Sequence, residues 1–180
     1  MTFNIRRLQN HDLDEVVKLV NVAYRTQSAR AWTTEHAFVE GQRISKIQLK
    51  KMLQESYFEM FVGEFESNQP IACIGLSNQK NSVEIGTFAI HPNFQNFGYG
   101  RTMLDFAEVH ILKNHTAVTE ILMYVLDIRT ELTAYYQRRG YTLTGGAAPY
   151  PISADVGKPL VPVQLLEMNK IIRKYIQLKS

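Results

Sequence analysis

The sequence predicts a mixed α/β fold, and three observations carry that prediction. Three apolar segments, Tyr57 to Glu66, Pro70 to Asn78 and Val83 to His91, follow one another across the turn-forming stretches Ser67-Asn68-Gln69 and Lys80-Asn81-Ser82, which reads as a meander of strands. Beyond that meander the pattern alternates between helix and strand. Between the two regimes lies Gln95-Asn96-Phe97-Gly98-Tyr99-Gly100, a glycine-bearing turn from an apolar strand into an apolar-faced helix.

Taken in order, Phe3 to Arg7 is a first strand. Asp12 is placed to cap a helix with Glu15 three residues on, and Val16, Val17, Val20 and Ala23 give that helix an apolar face ending near Tyr24. Arg25 to Ile44 lacks clear periodicity and reads as a long loop with a short helix, which in a compact domain points to function. A helical pattern resumes over Ser45 to Glu55 through Ile47, Leu49, Met52 and Leu53. After the three-strand meander come a helix over Arg101 to Lys113, a strand over Glu120 to Asp127, a helix over Thr130 to Arg139 and a strand from Tyr141. Gly145 to Pro151 reads as a long turn, and a last strand spans Val161 to Asn169.

The chain has 180 residues, 45% of them hydrophobic, enough for one well-buried core, so a single domain over 1–180 is expected. Twenty basic residues against 17 acidic ones leave a net charge of +3, too small a surplus to drive nucleic-acid binding. The one cysteine, Cys73, lies in the apolar run Ile71-Ala72-Cys73-Ile74, where a buried inert thiol is expected and no internal disulfide is possible. The N-terminal residues lack the apolar core of a signal peptide and no run approaches a membrane span, so a cytoplasmic protein without membrane contact is expected.

The glycine turn carries the chemistry. Pro92 has no N–H for a sheet and biases His91 toward extended geometry, so the strand should end there. Gly98 and Gly100 then allow backbone angles and close approach that a side chain would block, leaving N–H groups pointing outward where the helix opens near Arg101. With the positive end of the helix dipole, those donors favour an anion such as a pyrophosphate. A P-loop is excluded because no Gly-Lys-Ser/Thr follows, and a dinucleotide fingerprint is disfavoured because position 103 is Met and the loop lies mid-chain.

The run Glu84-Ile85-Gly86-Thr87-Phe88-Ala89-Ile90-His91-Pro92, followed by Gln95-x-x-Gly98-x-Gly100, resembles the central motif of the GCN5-related N-acetyltransferases (GNAT), whose signature there is Gln/Arg-x-x-Gly-x-Gly/Ala. Over nearly the whole chain, the resemblance implies a central, mostly antiparallel sheet flanked by helices and splayed between the strand ending at His91 and the parallel strand ending at Asp127. It implies acetyl-coenzyme A as cosubstrate, with no metal. Main-chain groups around Phe88, Ala89 and Ile90 match the positions that bond the pantetheine arm. The amides of Gln95, Asn96, Phe97, Gly98, Tyr99, Gly100 and Arg101 match the pyrophosphate cradle.

Acetyl transfer to an amine needs a neutral nucleophile, a polarised thioester carbonyl and a proton for the leaving thiolate. Glu84 matches the general base of the histone-acetyltransferase branch, which carries Glu-Ile-Val-Phe-Cys-Ala-Ile at this place; an exposed carboxylate on the strand edge is the plainer reading. Tyr135-Tyr136-Gln137-Arg138-Arg139-Gly140-Tyr141 resembles a second family motif, Tyr-x-x-x-Gly-Phe, which puts Tyr136, rather than its neighbour Tyr135, at the place of the acid. Thr130-Glu131-Leu132 departs from the Asn-x-Ala that many members carry there.

For the acceptor, Trp32-Thr33-Thr34-Glu35 followed by Gly41-Gln42-Arg43 resembles a subgroup with the same segment. Trp32 would wall a pocket while Glu35 or Arg43 orients a charged group; the alternative is a buried tryptophan with Thr33 or Thr34 capping a short helix. Three functions follow: an N-acetyltransferase acting on a small-molecule or peptide amine, an idle acyl-coenzyme A sensor, or an ordinary nucleotide-binding domain, which the missing Lys-Ser/Thr disfavours. The tail Ile171 to Ile176 would pack on the domain or on a second copy in a homodimer.

Overall fold

A computed structural model of the chain describes residues 2–27, 34–66 and 69–172. The strands are β1 (Asn4–Arg7), β2 (Val39–Glu40), β3 (Phe58–Glu64), β4 (Pro70–Asn78), β5 (Ser82–Ile90), β6 (Glu120–Leu126), β7 (Thr142–Pro149), β8 (Lys158–Pro159) and β9 (Gln164–Ile171). The helices are α1 (Leu13–Arg25), α2 (Lys46–Gln54), α3 (Tyr99–Asn114) and α4 (Thr130–Arg138). Seven strands form one sheet in the order β1-β3-β4-β5-β6-β9-β7, and β2 pairs with β8 in a separate ribbon. Within the large sheet only β5 and β6 run parallel; the other pairs are antiparallel.

Strand alternation sends successive side chains to opposite faces, and both faces are covered. Phe61, Ala72, Ile74, Leu76 and Ile85 pack with Met103, Leu104, Ala107 and Ile111 of α3, with Leu132 and Tyr136 of α4 against the same cluster. Met60, Val62, Cys73 and Ala89 face the other way, onto Val16, Leu19 and Val20 of α1 and Leu49 of α2. Cys73 is fully buried and burial pushes its thiol up to about 12, which makes it the inert thiol the sequence predicts.

The parallel pair that organises the site is short. β5 and β6 are in register only from Ser82↔Glu120 to Glu84↔Leu122, and beyond that point the two strands part. On its other edge β5 carries a bulge against β4: Gly86 pairs with Gly75 and Ala89 with Cys73, so Thr87 and Phe88 together oppose Ile74. Thr87 takes φ +45°, a conformation that β-branched residues rarely adopt, and the bulge re-aims Phe88 into the gap.

Two local expectations are corrected. Asp12 does not cap α1; a 3-10 turn over Asn10–Asp12 precedes the helix, and the Asp12 carboxylate instead accepts from Arg6 at 2.7 and 2.9 Å and from the Gln9 N–H at 2.8 Å. A buried carboxylate is better satisfied by a guanidinium than by a lone amide. The stretch from Gly145 is not a turn but part of β7, made possible by a register shift between Leu143 and Ala147 and by φ +84° at Gly145. Pro149 is tolerated there because β7 is the edge strand. The long segment before α2 holds β2, and among its described residues the helical element is only a turn over 36–38, which the Thr34 hydroxyl caps by accepting the His36 N–H. Among the described residues no helix is long and apolar enough to cross a membrane.

Candidate active site

The glycine turn adopts the geometry its composition implies. Asn96 and Gly98 both take positive φ, +67° and +87°, and α3 begins directly after Gly98. The first helical bond runs from the Thr102 N–H to the Gly98 carbonyl at 3.0 Å, so the N–H groups of 96–101 have no helical acceptor, whereas the Gln95 N–H, expected in the cradle, is taken by the Pro92 carbonyl at 3.4 Å. The buried Gln95 side chain donates to the Ile90 carbonyl at 3.0 Å and staples the turn to the end of β5. That brace was not legible in the motif, where Gln95 reads as one more cradle residue.

Where β5 and β6 part, a cleft of about 480 Å³ opens between β5, the glycine turn and α4. Of the residues proposed for the cofactor, Phe88, Ile90, Gln95, Asn96, Gly98, Gly100 and Arg101 line it. Ala89, Phe97 and Tyr99 do not present their side chains to it: Ala89 is buried under α1, Phe97 is 71% exposed, and the Tyr99 ring packs on Phe3 and Phe65. Glu131, Leu132, Tyr135, Tyr136 and Arg138 form the α4 wall, where Glu131 is paired with Arg129 and Arg138 is a cation that the sequence motif did not single out.

A second cavity of about 230 Å³ lies behind the first and shares Phe88, Leu132 and Tyr136 with it. Its walls include Tyr24, Glu35, Arg43, Glu84, Tyr124 and Tyr150. Glu84 is therefore on the far side of Phe88 from the glycine turn, while Tyr136 stands at the junction. Tyr135 and Tyr136 both line the cleft, with rings 5.2 Å apart, but only Tyr136 reaches the second cavity.

The electrostatics follow from burial. Desolvation raises the Glu84 carboxyl above the ordinary glutamate range, and the Arg43 charge partly opposes the rise. Burial raises the Tyr136 phenol strongly, with Tyr24 and Tyr135 adding to it and Arg129 opposing, so Tyr136 holds its proton. Tyr24, which sequence reading treated only as the end of a helix, donates its hydroxyl to the Phe88 carbonyl at 2.9 Å. Burial, partly offset by Arg43, pushes that phenol up to about 12. The Arg43 guanidinium lies 5.3 Å from the Tyr24 ring centroid, and the Arg43 N–H donates to the Asn21 side chain at 2.7 Å, so α1 fixes both residues.

The second cavity is bordered by Glu35, Arg43 and Val156, which flank the β2–β8 ribbon, and Arg25 ties these flanking segments together. Arg25 donates to Glu35 at 2.7 Å, to the Gly41 carbonyl at 2.9 Å and to the Val156 carbonyl at 2.8 Å, and Tyr150 donates to the same Val156 carbonyl at 2.8 Å. Gly157 is required where the two strands cross: a Cβ there would sit 2.7 Å from the Glu40 carbonyl oxygen. Glu35 is thus held by Arg25, whereas Arg43 is not. Trp32 and Thr33 lie outside the described residues. The only group of possible metal ligands among the described residues is Glu59, His110 and His115, joined at 2.9 and 3.1 Å near the opposite end of α3 from the glycine turn.

Comparison with known proteins places this geometry. No curated protein sequence matches the chain. The fold is shared with the ribosomal-protein-S18-alanine N-acetyltransferase of Escherichia coli (TM-score 0.72, 14% identity, 99% of each chain covered). It is shared too with an acetyl-CoA-bound GNAT family acetyltransferase of Elizabethkingia anophelis (TM-score 0.66, 14% identity, 94% of this chain and 98% of that one). The spermidine N-acetyltransferase of Vibrio cholerae in complex with CoA and spermine also has it (TM-score 0.68, 18% identity, 94% and 95%). At these identities the likeness establishes the fold, the mixed sheet with its flanking helices. The family itself is established by the sequence: residues 16–141 match the profile described as the acetyltransferase (GNAT) family, and the chain belongs to that family.

Proposed function

We propose that this protein transfers an acetyl group from acetyl-coenzyme A to the primary amine of a small acceptor. The observation that carries the proposal is the pair of cavities meeting at Phe88 and Tyr136, one next to an anion-binding turn and the other holding Glu84. In this reading the N–H groups of 96–101 hold the pyrophosphate, and Arg101 and Arg138 add positive charge along the cleft wall. Main-chain groups of Phe88 and Ile90 hold the pantetheine arm, and the bulge turns an amide near Phe88 toward the thioester oxygen.

The amine enters from the second cavity. Glu84, made more basic by burial, takes a proton from the incoming ammonium directly or through water. The free amine attacks the thioester carbon, the carbon–nitrogen bond forms, and the carbon–sulfur bond breaks as the tetrahedral intermediate collapses. The leaving thiolate takes the proton of Tyr136, which burial keeps in place until then, and the extra proton on the new amide nitrogen passes through water to the Tyr136 phenolate, which leaves a neutral amide, a thiol and the phenol restored.

Release of free thiol from acetyl-coenzyme A across a panel of amines tests the reading. Amine-dependent release is expected. Tight cofactor binding with no transfer to any amine would instead favour the acyl-coenzyme A sensor.

A further inference from the structure

We infer that the acceptor is an amino carboxylate, a zwitterion whose ammonium sits at Glu84 and whose carboxylate pairs with Arg43. This rests on the acetyltransferase reading of the site and adds to it the class of acceptor. The charged residues that line the second cavity are Glu35, Arg43 and Glu84. Glu35 is already neutralised by the Arg25 guanidinium at 2.7 Å, and both side chains are largely buried. That leaves one cation and one anion.

Among the described residues the Arg43 side chain makes no hydrogen bond or salt bridge; its only contact of note is the face of Tyr24, which leaves its N–H groups in the guanidinium plane free to donate. Glu84 likewise has neither, although its position is half-buried. The two feel each other through space, since Arg43 acts on the Glu84 titration, yet they do not close into an ion pair. Half-buried charges left apart in this way are costly unless something completes them. A ligand with a cationic and an anionic end completes both at once, and the 230 Å³ of the cavity suits a molecule of amino-acid size.

The same layout selects against other amines. A diamine or polyamine would bring its second ammonium toward Arg43, where like charge repels it. A peptide N-terminus or an amino-acid amide supplies the ammonium but leaves Arg43 unpaired.

The test is kcat/KM for acetyl-coenzyme A consumption with matched acceptors: α-amino acids, their amides, the corresponding amines without the carboxylate, and spermidine. The acids should exceed their amides by about tenfold to a hundredfold, the range for a charged hydrogen bond. Arg43→Gln should abolish that gap mainly through KM, Arg43→Lys should restore part of it, and Arg43→Glu should turn the preference toward diamines. Equal use of acids and amides by the unmodified protein would overturn the inference while leaving the acetyltransferase reading intact, as would a gap that survives in Arg43→Gln. No acetyl transfer to any acceptor would overturn both.

Discussion

A carboxylate on an apolar strand must be desolvated to lie against the sheet, and Glu84 shows the consequence in a pKa raised above the ordinary glutamate range, which makes it the stronger base. Turnover should therefore rise with pH as Glu84 loses its proton, because the protonated acid below that point cannot serve as a base. In Glu84→Gln the shape is kept and basicity is lost: turnover at neutral pH should fall by roughly 10²- to 10⁴-fold and recover in part at high pH, with cofactor affinity unchanged. Near-normal turnover at neutral pH in that variant would remove Glu84 from the mechanism. Glu84 and Tyr136 were legible because a charged residue on an apolar strand and a Tyr-x-x-x-Gly run are local patterns. Tyr24 was not, since its hydroxyl meets Phe88 only after α1 is laid on β5, and nothing within the helix records that contact.

At the scale of elements, the glycine turn and the β5 bulge shape the cleft in which the proposed reaction would take place. Gly98 holds φ +87°, and a Cβ there would meet nothing within 4 Å. A valine at this place is penalised by its backbone conformation and not by crowding, so the turn should shift locally while the sheet keeps its fold. Calorimetry of Gly98→Val should show acetyl-coenzyme A binding weakened by about tenfold, the equivalent of the 1–2 kcal/mol that a left-handed residue costs; unchanged affinity in a folded variant would move the pyrophosphate elsewhere. Strand and helix positions were readable from periodicity, as with β4 over Pro70–Asn78. The β2–β8 ribbon was not, because two-residue strands carry no period, and the stretch from Gly145 was misread because glycine and proline signal a turn and an exposed edge strand alike.

Across the whole molecule, long-range ion pairs fasten the ends of the sheet. Arg6 on β1 bridges Asp12 before α1 and Glu64 on β3, each at 2.7 Å. Burial would raise the Asp12 carboxyl, but the hydrogen bonds from Arg6 and Gln9 outweigh it and the folded value lies below the ordinary one. A carboxylate with a depressed folded pKa stabilises the protein fully above its unfolded value, near 3.9, and that contribution is lost as pH falls through the folded value. Asp12→Asn should lower stability at neutral pH by about 2 kcal/mol, typical for hydrogen bonds to a charged group, and the difference from the unmodified protein should shrink on acidification below pH 4. A difference independent of pH, followed by denaturant unfolding, would mean that packing and not charge holds this corner. Such pairs were invisible in the sequence because the partners are brought together only by the topology.

In the whole molecule, both substrates should be bound together, one on each side of Phe88, with the acetyl group crossing directly between them. The single cysteine, Cys73, is fully buried with its thiol at about 12 and does not supply a nucleophile for a covalent relay. The most direct measurement is the initial-velocity pattern with acetyl-coenzyme A and an accepted amine varied together, read beside mass spectrometry of the protein during turnover. Intersecting reciprocal plots with no acetylated protein are the predicted result. Parallel plots with an acetylated protein intermediate would contradict the account, because they would require the acetyl group to rest on the chain between two separate binding events.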